Sequence, residues 1–153
     1  MEVRVLKDIS EENINNLIEW SNSKGQDFLQ QWAGKEFSHP LTKAEINNIR
    51  NSVYSIFKGN EFVGIIQKIR KEGSNVHMGR FVINPNLTGK GIGKNALKEF
   101  CSLMFLNKEI FSISLNVFDF NEGAIKLYLR SGFKIIETVS DSNTKKYKMI
   151  LER

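Results

Sequence analysis

Three glycines alternate at positions 89, 91 and 93, between a strand-like run and a helix-like run of the sequence. Glycine permits the backbone angles of a tight anion-binding turn and lets a ligand approach the main chain closely. The first amides of a helix have no partner within the helix, and the helix dipole adds partial positive charge there. We therefore predict that main-chain amides from Gly89 to Lys94 hold a phosphate or diphosphate group. The alternative is a plain strand-to-helix turn that is rich in glycine.

Spacing separates this turn from two other phosphate-binding patterns. A nucleotide P-loop needs glycine at position 88 and serine or threonine at position 95, where this chain has Thr88 and Asn95. The dinucleotide fingerprint matches formally over residues 91–96, but five residues lie between the preceding strand and the first glycine of the turn. No acidic residue ends the next strand, as that fingerprint requires. A nicotinamide-dependent enzyme is therefore a minor alternative.

A second pair of residues, Asn121 and Tyr128, is also placed for chemistry. Two helical turns separate them, so both side chains point to nearly the same side of a helix that ends at Gly132. Asparagine is a good helix cap, and tyrosine is often part of a core. The alternative is therefore that Asn121 only caps the helix and Tyr128 only packs.

Hydrophobic periodicity predicts the elements that position these residues. Phe111, Ile113, Leu115 and Val117 alternate with polar residues, and Gly59-Asn60 favours a hairpin between two strands. We predict one α/β (α+β) domain over residues 1–153, with a mixed, mostly antiparallel sheet of about seven strands and helices on both faces. The predicted strands cover residues 3–6, 53–58, 62–69, 76–83, 111–117, 133–139 and 147–151, and the predicted helices follow Ser10 and cover residues 26–32, 43–51, 91–105 and 121–131.

The bulk composition narrows the class of protein. The 153 residues carry a net charge of +5 without a long basic block, and no apolar run reaches the length of a membrane span. Cys101 is the single cysteine, so we expect neither an intrachain disulfide nor a cysteine-based metal site. The charged N-terminal stretch does not resemble a signal peptide. We expect a cytoplasmic protein, monomeric or homodimeric, with no metal, nucleic-acid or membrane partner.

Both motifs resemble those of the GNAT superfamily of N-acetyltransferases. The run from Val82 to Gly93 is similar to that family's acetyl-CoA-binding motif, and Gly91 and Gly93 fit its glycine positions. Thr88 stands where the family usually has arginine or glutamine. Residues 115–133 resemble the family's closing strand–helix segment, in which an asparagine opens the helix and a tyrosine follows seven residues later. Together the two motifs cover about one fifth of the chain.

The resemblance implies direct transfer of an acetyl group from acetyl-CoA to a primary amine of a small molecule, an aminoglycoside-like compound or a peptide. It implies that Tyr128 is the acid that protonates the leaving thiolate, because its ordinary pKa of ~10 keeps the phenol protonated. A main-chain amide before the turn would stabilise the oxyanion. The implied cofactor-binding residues are Phe81, Val82, Ile83, Thr88, Gly89, Lys90, Gly91, Ile92, Gly93, Lys94 and Asn121.

The sequence offers candidates, but no single choice, for the general base and for the residues of the acceptor site. Many family members have a glutamate on the strand before the loop, but residues 76–83 contain no carboxylate. His77 is the titratable side chain on that strand that is expected to be neutral near pH 7, although a purely structural histidine is the alternative. Trp32 is a candidate wall of the acceptor site or an anchor of its helix. Asp27, Glu36 and His39 lie in the acceptor-site segment, and none of them is singled out as catalytic.

The missing strand carboxylate favours one other class of protein. A non-catalytic CoA-binding sensor or regulatory module would keep the glycine turn and need no base. Binding of acetyl-CoA without acceptor-stimulated thiol release would identify such a module.

Overall fold

A computed structural model describes residues 2–141 and 143–153 of the chain. Its described part contains a seven-stranded sheet in the order β1-β2-β3-β4-β5-β7-β6, in which only β4 and β5 run parallel. This is the predicted mixed, mostly antiparallel sheet, and the predicted order of elements is confirmed. The strands are β1 (Val3–Lys7), β2 (Val53–Lys58), β3 (Glu61–Glu72), β4 (Asn75–Ile83), β5 (Ser112–Phe118), β6 (Lys134–Ser140) and β7 (Lys145–Glu152), and the helices are α1 (Glu11–Lys24), α2 (Gln26–Ala33), α3 (Lys43–Ile49), α4 (Ile92–Phe105) and α5 (Glu122–Arg130).

Helices cover both faces of the sheet and enclose two hydrophobic cores. One core contains the buried stripe of α4, including Phe100, together with Tyr128 of α5. The other contains Leu17, Trp32 and Ile46, which come from α1, α2 and α3. No helix in the described ranges is long and apolar enough to cross a membrane. The sheet is thus the middle layer of three. A ligand between its strands would face α4 and α5 on one side of the sheet and α1–α3 on the other.

Side-chain caps fix where several helices begin. The Ser10 side chain accepts a hydrogen bond from the backbone of Asn13 at the start of α1. Thr42 and Glu45 form a capping box at the start of α3, in which each side chain accepts from the backbone amide of the other. Asn121 caps α5 by accepting from the backbone of Ala124. These local signals explain why the helix starts could be predicted closely from the sequence.

Several element ends differ from the sequence prediction by one or two residues, and three differences stand out. β3 extends to Glu72 rather than residue 69, because it pairs with β4 as far as Asn75. The third helix ends at Ile49 and gives way to a short 3-10 turn, Arg50–Ser52. Phe111 is 58% exposed and lies before β5, so the prediction that it continues the buried row of that strand is wrong.

Candidate active site

β4 and β5 pair over only a short stretch and then separate. Residues Asn75–His77 of β4 lie beside Ser112–Ser114 of β5, but β4 continues to Ile83 and β5 to Phe118. In the described chain, no other strand pairs with this side of β4 beyond His77. Backbone hydrogen-bonding groups at such an edge are free to bind an extended ligand in the way a further strand would.

A bulge in β4 shapes the wall of this opening. Between the pairs Ile65–Val82 and Gln67–Gly79, two residues of β4 oppose one of β3. One of the two is Arg80, which adopts a left-handed φ of 42° although it is not glycine. The extra residue reverses the alternation of side chains. Val76 and Met78 therefore belong to the core under α4, whereas Val82 belongs to the core under α1–α3.

A cavity of about 1010 Å³ lies where the two strands separate. Its walls come from the end of α2, the strands β3, β4 and β5, the glycine turn and the helix α5. All but one of the predicted site residues line it, namely Trp32, His77, Phe81, Val82, Ile83, Thr88, Gly89, Gly91, Ile92, Gly93, Lys94, Asn121 and Tyr128. Lys90 is exposed and is not among the lining residues, so its role as a cofactor ligand stays a prediction.

The glycine turn combines left-handed backbone angles with a helix start that has no side-chain cap. Gly89 has a φ of 79°, and Gly91 precedes the first helical residue with φ 78° and ψ 4°, in the left-handed region. No side chain caps α4, so its first amides are free to bind a ligand. The Thr88 hydroxyl donates to the Pro85 carbonyl at 3.2 Å and thereby holds the turn. Lys94, Lys126 and Arg130 also line the cavity and add positive charge near the turn and α5.

Tyr128 and Asn121 both face the cavity, as their spacing predicted. Tyr128 is 8% exposed, and its ring lies edge-on to Phe133 with centroids 5.8 Å apart. Burial, with a smaller contribution from the nearby Cys101 thiol, raises the pKa of Tyr128 well above its ordinary value of 10. The phenol therefore stays protonated throughout the neutral range and does not act as a phenolate base.

His77 is buried at the closed end of the opening. Its Nδ1 lies 2.8 Å from Ser114 Oγ, which also accepts a hydrogen bond from the Asn75 amide at 2.9 Å. Burial, and then the positive charges of Arg70 and Lys148, lower the pKa of His77 to about 4. The ring is neutral at pH 7, but it is a weak proton acceptor, and its hydrogen bond with Ser114 ties β4 to β5.

The cavity wall at the end of α2 carries a polar cluster that the sequence did not reveal. The Arg80 guanidinium donates to Ala33 O at 3.2 Å, to Gln67 Oε1 at 2.7 Å and to Glu36 Oε2 at 3.3 Å. Trp32 lies beside this cluster, and its indole nitrogen donates to Ser21 Oγ at 3.1 Å. Trp32 thus anchors α2 in the core and also lines the cavity. A role as an anchor and a role as a wall of the acceptor site are therefore compatible.

Cys101 lies near Tyr128 but outside the cavity lining. It is 7% exposed, lies on α4 and is not among the cavity-lining residues. Burial raises the pKa of its thiol to about 12, so it carries no thiolate near pH 7. In the described ranges, no group of three or more His, Cys, Asp or Glu side chains is placed to hold a metal ion.

The family of this chain follows from a direct comparison. Residues 13–133, well over half of the chain, match the model of the Acetyltransferase (GNAT) family. The chain belongs to this family, and the protein is therefore an acyltransferase of the acetyltransferase class.

Solved structures share the fold over nearly the whole chain. A GNAT-family acetyltransferase from Bacillus anthracis is 14% identical, with a TM-score of 0.83 over 99% of this chain and 95% of that chain. RimL, a ribosomal L7/L12 alpha-N-protein acetyltransferase, is 15% identical, with a TM-score of 0.79 over 100% and 96%. The aminoglycoside acetyltransferase AAC(6')-Ib, solved with coenzyme A, is 19% identical, with a TM-score of 0.74 over 99% and 95%. At these identities the likeness establishes the GNAT fold.

Proposed function

We propose that this chain binds acetyl-CoA between β4 and β5 and transfers the acetyl group directly to a primary amine. The observation that carries the proposal is the opening between these strands, which leads to a glycine turn and an uncapped helix N-terminus. Relatives of the same fold were solved with coenzyme A or acetyl-CoA, which supports the choice of ligand. An acetyl thioester supplies an activated acyl group and a good leaving group.

The residues present fit such a ligand along its length. The amides that follow Gly91 would hold the diphosphate, and Lys94 and Lys126 would offset part of its charge. The free edge of β4, from Phe81 to Ile83, would pair with the pantetheine chain. Asn121, at the start of α5, lines the same cavity. With these contacts, the acetyl end of the ligand would lie near the strand opening.

The chemistry of the described residues favours direct transfer over an acyl-enzyme. Cys101 is buried, protonated and outside the cavity lining, so it does not act as a nucleophile. Tyr128 is protonated at neutral pH and lines the cavity, so its hydroxyl is available to donate to the leaving thiolate, although the raised pKa makes it a weaker acid than an exposed tyrosine. His77 accepts a proton too weakly to be the main base at pH 7. We therefore propose that the amine binds neutral or loses its proton to water.

The charges that line the cavity disfavour an acceptor with several positive charges. Glu36 is the only carboxylate among the described lining residues, and Arg80 already pairs with it. Arg70 and Lys146 add positive charge to the same cavity. An aminoglycoside carries several ammonium groups and would need more carboxylates than this wall offers. A peptide N-terminus or a small monoamine fits better.

The test is a titration followed by a panel of acceptors. Calorimetry with coenzyme A should show one site per chain, and thiol release from acetyl-CoA should rise on addition of an N-terminal serine peptide or a small monoamine. Kanamycin at the same concentration should stimulate release less. Absence of coenzyme A binding would overturn the whole proposal, whereas strongest stimulation by kanamycin would overturn only the choice of acceptor.

A further inference from the structure

Arg80 occupies a backbone position that ordinarily suits glycine. Its φ of 42° lies in the left-handed region, which costs a residue with a Cβ atom about 1 kcal/mol or more. The side chain is only 12% exposed. A glycine would adopt this backbone conformation without strain. The contacts of the Arg80 side chain must therefore offset the strain that an arginine causes at this position.

The guanidinium joins three separate parts of the chain. It donates to the carbonyl of Ala33 at the end of α2, to Glu36 in the following loop, and to Gln67 on β3. Its centre also lies 4.5 Å from the centroid of the Phe37 ring. Gln67 is itself fixed, because its amide donates to Ser52 Oγ at 2.9 Å. Planar arginine, with five donors, can make this set of contacts, whereas lysine cannot.

These contacts determine how the acceptor-side wall is held. The following segment, residues 38–41, is tied to other helices, because Glu45 accepts from the amide of Ser38 and Asn22 from the amide of Leu41. In the described chain, the side-chain hydrogen bonds between residues 33–37 and the sheet all come from Arg80. Residues 33–37 thus depend on this one side chain for their polar attachment to β4.

We propose that Arg80 is a positioning residue that fixes the acceptor-side wall, residues 33–37, against the strand that binds the acetyl end of the ligand. The inference rests on the proposed function for its kinetic consequence. In the described chain, the guanidinium contacts Ala33, Glu36, Phe37 and Gln67, and none of these residues belongs to the glycine turn. Acceptor binding therefore depends on the Arg80 side chain, and affinity for coenzyme A does not.

The decisive variant is Arg80→Gly, which accepts the left-handed backbone and removes the guanidinium. The acceptor KM should rise about tenfold or more, as expected for loss of charge-assisted hydrogen bonds, with coenzyme A affinity within about twofold of the original. Arg80→Lys should give little rescue, because a single ammonium cannot reach all three acceptors. Amide hydrogen exchange over residues 33–37 should become faster in both variants.

Arg4→Gly is the matched control. Arg4 makes the same kinds of contact far from the cavity, with Gly59 O at 2.9 Å, the Phe57 ring at 5.6 Å and Glu2 at 3.6 Å. This variant should leave the acceptor KM and exchange over residues 33–37 unchanged. If Arg80→Gly fails to fold, Glu36→Gln removes one of the three partners from an exposed side chain and should raise the acceptor KM by a smaller factor.

Failure of this inference is distinguishable from failure of the proposed function. Hydrogen exchange and coenzyme A titration need no acceptor, so they test the attachment of residues 33–37 even if no amine is acetylated. Unchanged exchange and an unchanged acceptor KM in Arg80→Gly would overturn the positioning role. Equal loss of coenzyme A affinity and acceptor binding would also overturn it, because the effect would then not be confined to the acceptor side.

Discussion

Burial shifts the pKa values of Tyr128 and His77, at the opening between the strands, in opposite directions. It raises the pKa of the Tyr128 phenol and lowers that of the His77 imidazole, because in both cases the charged form is the one that loses solvation. Both side chains are consequently neutral near pH 7. Tyr128 is left as a donor facing the cavity, whereas His77 is tied to Ser114 and mainly joins two strands.

If Tyr128 is the acid, Tyr128→Phe should lower kcat by about 100-fold, within the range typical of general acids. Affinity for coenzyme A should change by less than about threefold, because the ring and its packing on Phe133 are kept. Steady-state kinetics and calorimetry on the same preparation measure the two effects. Tyr147→Phe is the control, since Tyr147 lies outside the cavity lining. A fully active Tyr128→Phe enzyme would remove this residue from the mechanism.

The lowered pKa of His77 predicts how stability depends on pH. In the unfolded chain the histidine binds a proton near its ordinary pKa of 6.5, but in the folded protein it does so only near pH 4. The unfolded state binds more protons between these values, so the free energy of unfolding decreases as the pH falls from about 6.5 to about 4. Urea denaturation at pH 7 and pH 4.5 should show a smaller decrease for His77→Gln than for the original protein. His39→Gln, at an exposed histidine, should retain the original decrease, and an equal decrease in all three proteins would contradict the prediction.

At the scale of elements, the proposed function of the glycine turn depends on the helix that follows it. Gly91 must adopt a left-handed conformation directly before α4, and no side chain occupies the free amides there. Valine at this position would be strained by its branched Cβ atom and would also crowd the turn. The position is thus constrained by both conformation and ligand access.

Gly91→Val should abolish measurable coenzyme A binding while it lowers the free energy of unfolding by only about 1–2 kcal/mol. Gly59→Val is a matched control, because Gly59 has a similar φ of 60° in the turn between β2 and β3 and lies outside the cavity. It should lose similar stability and retain full affinity. Calorimetry with coenzyme A and urea denaturation check both expectations. Unchanged affinity of Gly91→Val would contradict the assignment of the turn.

The parts of the site that the sequence predicted are those with local causes. The glycine turn and the Asn121–Tyr128 spacing each lie within one short segment, where capping and helical periodicity act directly. The Arg80 bulge was not predictable in this way, because arginine is uncommon at positive φ and its partners are 13 to 47 residues away in sequence. Phe111 followed the alternating pattern of β5, yet the strand begins one residue later.

At the scale of the whole molecule, the cavity passes through the sheet rather than lying on one face of it. Tyr128 belongs to the core beneath α4 and α5, whereas Trp32 belongs to the core beneath α1–α3, and both line the same space. The separation of β4 from β5 connects the two sides. A ligand held at the glycine turn can therefore meet an acceptor that enters beside α2. This connection depends on the tertiary arrangement and could not be derived from any single motif.

The distribution of charge around this cavity predicts how the binding of coenzyme A responds to salt. Lys94, Lys126 and Arg130 line the cavity of a protein with a net charge of +5, and the proposed ligand is a polyanion. Screening at high ionic strength weakens such attraction between exposed charges. Affinity for coenzyme A should fall about three- to tenfold between 50 and 500 mM NaCl, with a smaller fall in Lys126→Gln.

Lys134→Gln provides the comparison, because it removes the same net charge from β6, away from the cavity lining. If local charge matters, its affinity should keep the salt dependence of the original protein, as measured by calorimetry at four salt concentrations. An equally reduced salt dependence in both variants would instead mean that the net charge of the molecule attracts the ligand. No salt dependence in the original protein would mean that the main-chain amides of the turn alone provide the binding, with the lysines uninvolved.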